Sequence, residues 1–114
     1  MANPRPGFEI RESRSDHTLR LSLTGELDLA ATPILEDRLT SLRAKRSPVV
    51  LDLSNLAFID STGMRLLVRM VGHARTTRWQ LQIEPRVTPA VMQLLRLMHV
   101  ECILTSSGSI TAAA

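Results

Sequence analysis

The stretch Ala57-Phe58-Ile59-Asp60-Ser61-Thr62-Gly63-Met64 joins two apolar segments that have different periods. Before it, Pro48-Val49-Val50-Leu51-Asp52-Leu53 has the short, nearly continuous apolar pattern of a strand covered on both faces. After it, apolar residues recur at helical spacing, at Met64, Leu67, Val68, Val71 and Ala74. The sequence therefore predicts that a buried strand leads into a helix between Asp60 and Gly63.

Hydroxyl residues stand at the predicted start of this helix. Ser61 or Thr62 would lie at or beside the N-cap, where a side-chain oxygen accepts a free backbone N–H and the positive end of the helix dipole lies. A phosphate added there would be tolerated. The Asp60 carboxylate either holds the loop by accepting backbone N–H groups or contacts a partner, and Gly63 either admits a partner backbone or relieves crowding.

The first half of the chain predicts a hairpin followed by a helix. Phe8 to Glu12 and Thr18 to Leu23 alternate as strands do, with a turn at 15–17, and Gly25 ends the second strand. Pro33 suits a first helical position. That helix runs to about Ala44 with an apolar stripe at Ile34, Leu35, Leu39 and Leu42.

The second half continues the alternation of helices and strands. We expect a strand at 79–83, a helix at 89–98 whose buried face is Val91, Leu94, Leu95 and Met98, and a last strand at 100–104. This order predicts an α/β domain whose mixed sheet is antiparallel at its N-terminal edge and parallel where helices cross over. The predicted core comprises Leu51, Leu53, Ile59, Leu67, Val71, Leu81, Leu94 and Leu95.

Composition sets limits on the class of protein. The 114 residues suit one domain with a single core, and we expect a flexible N-terminus at 1–7, the domain at 8–110 and a flexible tail at 111–114. The single cysteine, Cys102, excludes a disulfide framework and is interpreted as a small core residue. No apolar run is long enough to cross a bilayer, so we expect a cytoplasmic protein without membrane insertion.

The charge is mildly basic, at +3, and is spread over many arginines instead of forming a dense tract. Aromatic residues are few, so direct nucleic-acid binding is not expected. The three histidines stand in separate segments, and Glu26 with Asp28 lacks a third ligand for a metal site. Ser61 lacks a nucleophile elbow and a base. The sequence therefore indicates no enzyme and no cofactor.

The segments Asp60-Ser61-Thr62-Gly63-Met64 and Leu23-Thr24-Gly25-Glu26-Leu27-Asp28, in this order and spacing, resemble the STAS domain of bacterial anti-sigma factor antagonists. The later Thr88-Pro89-Ala90-Val91 resembles the opening of that family's last helix. The resemblance spans about Phe8 to Ile110. It implies a single STAS domain, with a mixed sheet and helices packed mainly on one face.

The resemblance also implies a function. Ser61 would be phosphorylated by a partner serine kinase, with Thr62 as a second candidate for which we prefer a capping role. The unmodified protein would bind that kinase, an ATP-binding anti-sigma factor, and release it when phosphorylated, and a PP2C-type phosphatase would restore it. The expected partner surface comprises Glu26, Asp28, Asp60, Ser61, Thr62, Gly63, Met64 and Arg65.

Two other functions remain open for a chain with this resemblance. One is a STAS subunit that stabilises a lipid-transport ABC system, in which the hydroxyl residue is kept without being phosphorylated. The other is a module that senses a small ligand. Met64-Arg65 departs from the family pattern, in which a small or aliphatic pair commonly follows the glycine. A cation at Arg65 in the first turn would oppose the helix dipole unless an acidic partner or the phosphate meets it.

Overall fold

The computed structural model describes residues 7–104, so the predictions for 1–6 and for 105–114 lie outside the described residues. The elements in chain order are β1 (Phe8–Ser15), β2 (Thr18–Leu27), α1 (Thr32–Ala44), β3 (Val49–Ile59), α2 (Ser61–Thr77), β4 (Leu81–Ile83), α3 (Pro89–Leu97) and a short 3₁₀ helix (Glu101–Ile103). Within this part of the chain, no helix is long and apolar enough to span a membrane.

The four strands form one mixed sheet in the order β1-β2-β3-β4. The hairpin strands β1 and β2 are antiparallel, with Ser15 opposite Thr18. The other two pairs are parallel, because α1 and α2 carry the chain back to the same edge before β3 and β4 begin. The predicted α/β class and mixed sheet are confirmed.

One face of the sheet forms the core, and the other stays partly exposed. Leu21 of β2 lies beside Leu51 of β3, which lies beside Ile83 of β4, and all three are fully buried. The residues between them, such as Arg20 and Asp52, point to the opposite face and are half-buried. Of the predicted core residues, Leu94 is only half-buried and the other seven are buried.

Two predictions about the sheet were wrong. Gly25 does not end β2: it adopts φ 90°, the strand continues to Leu27, and the pairing with β3 shifts register there. A Cβ at Gly25 would lie 1.6 Å from the Gly7 carbonyl oxygen, so only glycine fits. The strand expected to end near Leu53 runs on to Ile59, because Leu56 and Ile59 continue the buried side.

Other corrections concern single side chains and the last element. Ile34 is 56% exposed, because Leu35 takes the inward position next to it on α1. The predicted strand at 100–104 is a 3₁₀ turn, in which Ile103 N donates to Val100 O at 3.1 Å instead of to a neighbouring strand. Cys102 is exposed on this turn and is not a core residue.

Candidate functional site

The junction between β3 and α2 is organised by Asp60. Its backbone is extended, and its Oδ1 accepts the N–H of Gly63 at 2.9 Å while its carbonyl accepts the N–H of Met64 at 2.9 Å. Asp60 is therefore the N-cap, and α2 begins at Ser61. Ser61 thus lies beside the N-cap, as expected, but neither Ser61 nor Thr62 is the capping residue, so the capping role considered for them is wrong. The geometry shows the loop-holding interpretation of Asp60.

Ser61 is exposed at the first position of α2. Its hydroxyl makes no hydrogen bond to any residue in the described part of the chain, whereas the next residue, Thr62, is half-buried. The positive end of the dipole of a 17-residue helix lies beneath this hydroxyl. The arrangement offers an accessible oxygen where an anion is favoured.

The segment predicted as the loop 25–28 lies directly against this junction, as expected, although residues 25–27 are the end of β2. The N–H of Asp60 donates to the carbonyl of Leu27 at 3.2 Å. A Cβ on Gly63 would lie 2.7 Å from that same carbonyl oxygen. Gly63 therefore relieves crowding inside the fold, which is the second of the two roles considered for it.

The two acidic residues at the end of β2 have different surroundings, since Glu26 belongs to the strand and Asp28 follows it. Glu26 is exposed and forms no ion pair within residues 7–104. Asp28 is held in place, because its Oδ1 accepts the N–H of Ala31 at 3.0 Å and its carbonyl accepts the hydroxyl of Thr32 at 2.8 Å. Asp28 thus organises the start of α1. No group of three or more metal-ligating side chains exists in the described chain.

The predicted partner surface is partly buried. Gly63 and Met64 lie in the interior, so neither belongs to the exposed surface on which we expected them. Arg65 is exposed in the second turn of α2, not in its first. Because residues four apart on a helix are neighbours, the Arg65 side chain stands beside Ser61.

Three large apolar side chains are exposed near the two loops, and sequence reasoning missed them. Leu29 is 69% exposed in the turn after Asp28, Ile34 lies in the first turn of α1, and Phe58 is 45% exposed opposite Glu26. We call Leu29, Ile34 and Phe58 the apolar flank. A leucine placed among turn residues was the available signal for Leu29.

An ionic network crosses the open face of the sheet, apart from the candidate site. Arg20 Nη2 contacts Glu84 Oε1 at 2.6 Å and Asp52 Oδ2 at 3.1 Å. Burial opposes ionisation of Asp52, but hydrogen bonds from Ser54 and the Arg20 guanidinium outweigh it and lower the pKa of this carboxyl below its ordinary value. The hydrogen bond to Glu84 likewise raises the pKa of Arg20.

A cavity of about 340 Å³ lies along α3. None of the predicted site residues lines it, since its walls are Pro89, Met92, Gln93, Arg96 and Leu97. Two of these side chains are apolar and large, and Leu97 is 69% exposed.

Solved structures share this fold. An anti-sigma factor antagonist from Mycobacterium paratuberculosis is similar with a TM-score of 0.74 and 21% identity, covering 98% of this chain and 97% of that one. The antagonist SpoIIAA in its unphosphorylated form gives 0.71 and 15%, covering 92% and 93%. Bacillus SpoIIAA in the phosphorylated form gives 0.66 and 15%, covering 94% and 96%.

Sequence comparisons give the family. No curated protein sequence matches the chain. The family model described as "Mlab, STAS domain" matches residues 10–105, which is most of the chain and includes both loops of the candidate site. The chain therefore belongs to the STAS domain family.

Proposed function

We propose that this protein is an anti-sigma factor antagonist that binds a serine-kinase anti-sigma factor and releases it when Ser61 is phosphorylated. The observation that carries the proposal is that the helix cap and the exposed hydroxyl at the start of α2 belong to different residues. Asp60 caps the helix, so the exposed Ser61 hydroxyl is not needed by the fold and is available to a kinase. The fold shared with known antagonists supports the same class.

Phosphorylation would act on binding through charge. A phosphate adds about 1.5 to 2 negative charges beside the Asp60 carboxylate. The apolar flank, whose residues lie near the ends of β2 and β3 and at the start of α1, is suited to a contact that excludes water, where an unpaired charge is costly. Arg65 stands one turn away and can pair with the phosphate in the free protein, which would stabilise the modified, unbound form.

The proposed partners are those that the family resemblance implies. ATP belongs to the kinase, and a PP2C-type phosphatase returns Ser61 to its unmodified state. Glu26, Asp28, Ser61, Thr62 and Arg65 form the polar part of the proposed partner surface. Of these, Glu26, Ser61 and Arg65 are exposed in the free protein.

The test uses a serine-kinase anti-sigma factor from the same organism. Phosphopeptide mapping after incubation with that kinase and ATP should place the phosphate on Ser61 and find none on the Ser61→Ala variant. Thr62→Ala is the matched control and should remain a substrate. Phosphate on Thr62, or none at all, contradicts the assignment.

Binding titrations test the switch itself. Ser61→Ala should bind the kinase nearly as well as the wild type, whereas Ser61→Asp and the enzymatically phosphorylated protein should bind at least about tenfold more weakly, a loss of about 1.4 kcal/mol. Titrations at low and physiological salt separate a desolvated contact from a screened one. Equal affinity of all four forms would falsify the switch.

A second candidate is a constitutive STAS subunit that stabilises a lipid-transport ABC system. Its support is that the matching family model is described by Mlab and not by an antagonist. In that case a permease would be encoded nearby, and the complex would be insensitive to Ser61→Asp. The same titrations therefore distinguish the two functions.

A further inference from the structure

A cluster of cations lies at the end of the molecule where α1 and α2 finish. Segments 43–49 and 72–80 contain no carboxylate, and they hold Arg43, Lys45, Arg46, Arg75 and Arg78, which we call the basic end. Arg46 Nη1 donates to the carbonyl of Thr77 at 2.9 Å, and Arg43 contacts the side chain of His73. The two segments therefore lie side by side.

The turn between β1 and β2 adjoins the basic end. The N–H of Leu19 donates to the carbonyl of Pro48 at 2.9 Å, which brings this turn to the start of β3. The turn region adds Arg14 and His17 against one carboxylate, Asp16. Ser61 lies at the opposite end of α2, about 25 Å from Arg78 at roughly 1.5 Å per residue.

The cations of the basic end are not neutralised within the described residues. Elsewhere Arg20, Arg38 and Arg69 pair with carboxylates, but no cation of the basic end does. Arg46 and Arg78 follow the two helices with φ of 56° and 61°, a region that favours glycine. A favourable interaction with the helix dipole accounts for one cation at each helix end and leaves the others unexplained.

We propose that the basic end docks on the anionic lipid headgroups of a membrane surface. Its cations are spread over neighbouring segments, as attraction to a planar array of charges requires. The large exposed apolar side chains of the described chain, Leu29, Ile34, Phe58 and Leu97, belong to other segments, so the contact is electrostatic and involves no insertion.

The same surface is poorly suited to nucleic acid. Trp79, the aromatic residue of these segments, is 3% exposed and its Nε1 donates to the Ser47 carbonyl, so it is not available to stack on bases. Both helices reach the basic end with their C-termini and present no helix face to a groove. Docking by this end leaves Ser61 directed away from the membrane and open to a soluble partner.

Vesicle sedimentation of the full chain tests the proposal. The probes are vesicles of phosphatidylglycerol mixed with phosphatidylcholine, vesicles of phosphatidylcholine alone, and a duplex DNA of arbitrary sequence. Lys45→Glu combined with Arg78→Glu removes two exposed cations whose side chains form no hydrogen bond or ion pair in the described chain. Arg86→Glu combined with Arg96→Glu makes the same change of net charge at exposed positions elsewhere.

The wild type should bind the anionic vesicles at low salt and bind them less at physiological salt. It should not bind the vesicles of phosphatidylcholine alone. Each cation near such a surface raises the affinity for anionic vesicles about fivefold. The Lys45→Glu and Arg78→Glu double variant should therefore bind at least about tenfold more weakly than the wild type, and the Arg86→Glu and Arg96→Glu control less than threefold more weakly. Circular dichroism shows that both variants remain folded. Absence of binding to anionic vesicles, equal losses in both variants, or tighter binding to duplex DNA would each overturn the proposal.

Discussion

The Asp60 carboxylate and the Ser61 hydroxyl belong to adjacent residues but differ in their contribution to the stability of the fold. Asp60 binds the N–H of Gly63, and Ser61 binds nothing within the described residues. We expect Asp60→Ala to lower the free energy of unfolding by about 0.5–2 kcal/mol, because it removes the cap, and Ser61→Ala to leave it nearly unchanged.

Urea unfolding of the two variants measures this difference. Asp60→Ser is the control, because serine also caps helices and should restore most of the loss. A larger cost for Ser61→Ala than for Asp60→Ala would mean that the serine hydroxyl is part of the cap after all.

Two glycines of α2 provide a matched pair for the close contact at the site. A Cβ on Gly63 would lie 2.7 Å from a backbone oxygen and 3.1 Å from Ile59 Cγ1, whereas nothing lies within 4 Å of a Cβ on Gly72. We expect Gly63→Ala to destabilise the fold by about 1–3 kcal/mol through overpacking. Gly72→Ala should stabilise it by about 0.4–1 kcal/mol, because the unfolded chain loses freedom.

Thermal and urea unfolding of these two variants check the prediction. If Gly63→Ala is as stable as the wild type, Leu27 at the end of β2 does not contact the start of α2 as closely as the structure has it. The two single substitutions differ only in position along one helix, so helix propensity cancels between them.

At the scale of elements, β4 is only three residues long, and the network of Arg20 ties it to the rest of the sheet. Arg20 lies on β2, Asp52 on β3, and Glu84 directly after β4. Since the pKa of Asp52 is lowered in the folded state, its contribution to stability is present above the ordinary value of 3.8 and is lost as the pH falls through the folded-state pKa.

We therefore expect Asp52→Asn to be less stable than the wild type at pH 7, by up to about 1 kcal/mol because Arg20 is partly exposed, and the difference to shrink below pH 4. Urea unfolding between pH 7 and pH 3 measures it. Asp37→Asn, at an exposed carboxylate with no ion pair in the described chain, is the control. A wild-type advantage of the same size at pH 3 and pH 7 contradicts the assignment.

The elements differ in how far the sequence could predict them. Strict alternation at Leu19, Leu21 and Leu23 and the Pro-initiated helices were recognisable, because burial on one face determines those patterns. The extension of β2 past Gly25 was not, because it depends on contact with Gly7 and on a shift of register with β3. Such long-range pairing leaves no local signal.

The candidate site shows the same limit. The sequence correctly predicted that Asp60, Ser61 and the segment 25–28 lie close together, because parallel neighbouring strands end at one edge of the sheet. It did not reveal that Leu29 and Phe58 are exposed. It counted Met64 both in the apolar pattern of the helix and in the partner surface, and only the first is right, because this side chain is fully buried. Which apolar residues remain exposed depends on tertiary packing, and the residue type alone does not distinguish an exposed leucine from a buried one.

At the scale of the whole molecule, the sheet separates two surfaces. One end of β3 leads to Ser61 and the apolar flank, and the other adjoins the basic end. Leu29 is exposed in the turn after β2, whose last residue contacts Asp60, and such a leucine suits a partner contact, because burying its side chain contributes about 1.5–3 kcal/mol to binding. The apolar flank would thus supply affinity, and Ser61 at its edge would control it.

Two leucines allow this division to be tested, since Leu29 and Leu97 are both 69% exposed but lie in different segments. In titrations with the serine-kinase anti-sigma factor, Leu29→Ala should bind about tenfold more weakly, as expected for a residue in the contact, and Leu97→Ala should bind as the wild type does. Both should keep the wild-type unfolding midpoint, because neither side chain is in the core. If both variants bound as tightly as the wild type, Leu29 would not belong to the interface. The Ser61 switch would then be tested only by the titrations of the Ser61 variants. If Leu97→Ala alone were weakened, the contact would lie along α3, and the phosphate would then have to act on the partner from a distance instead of inside the interface.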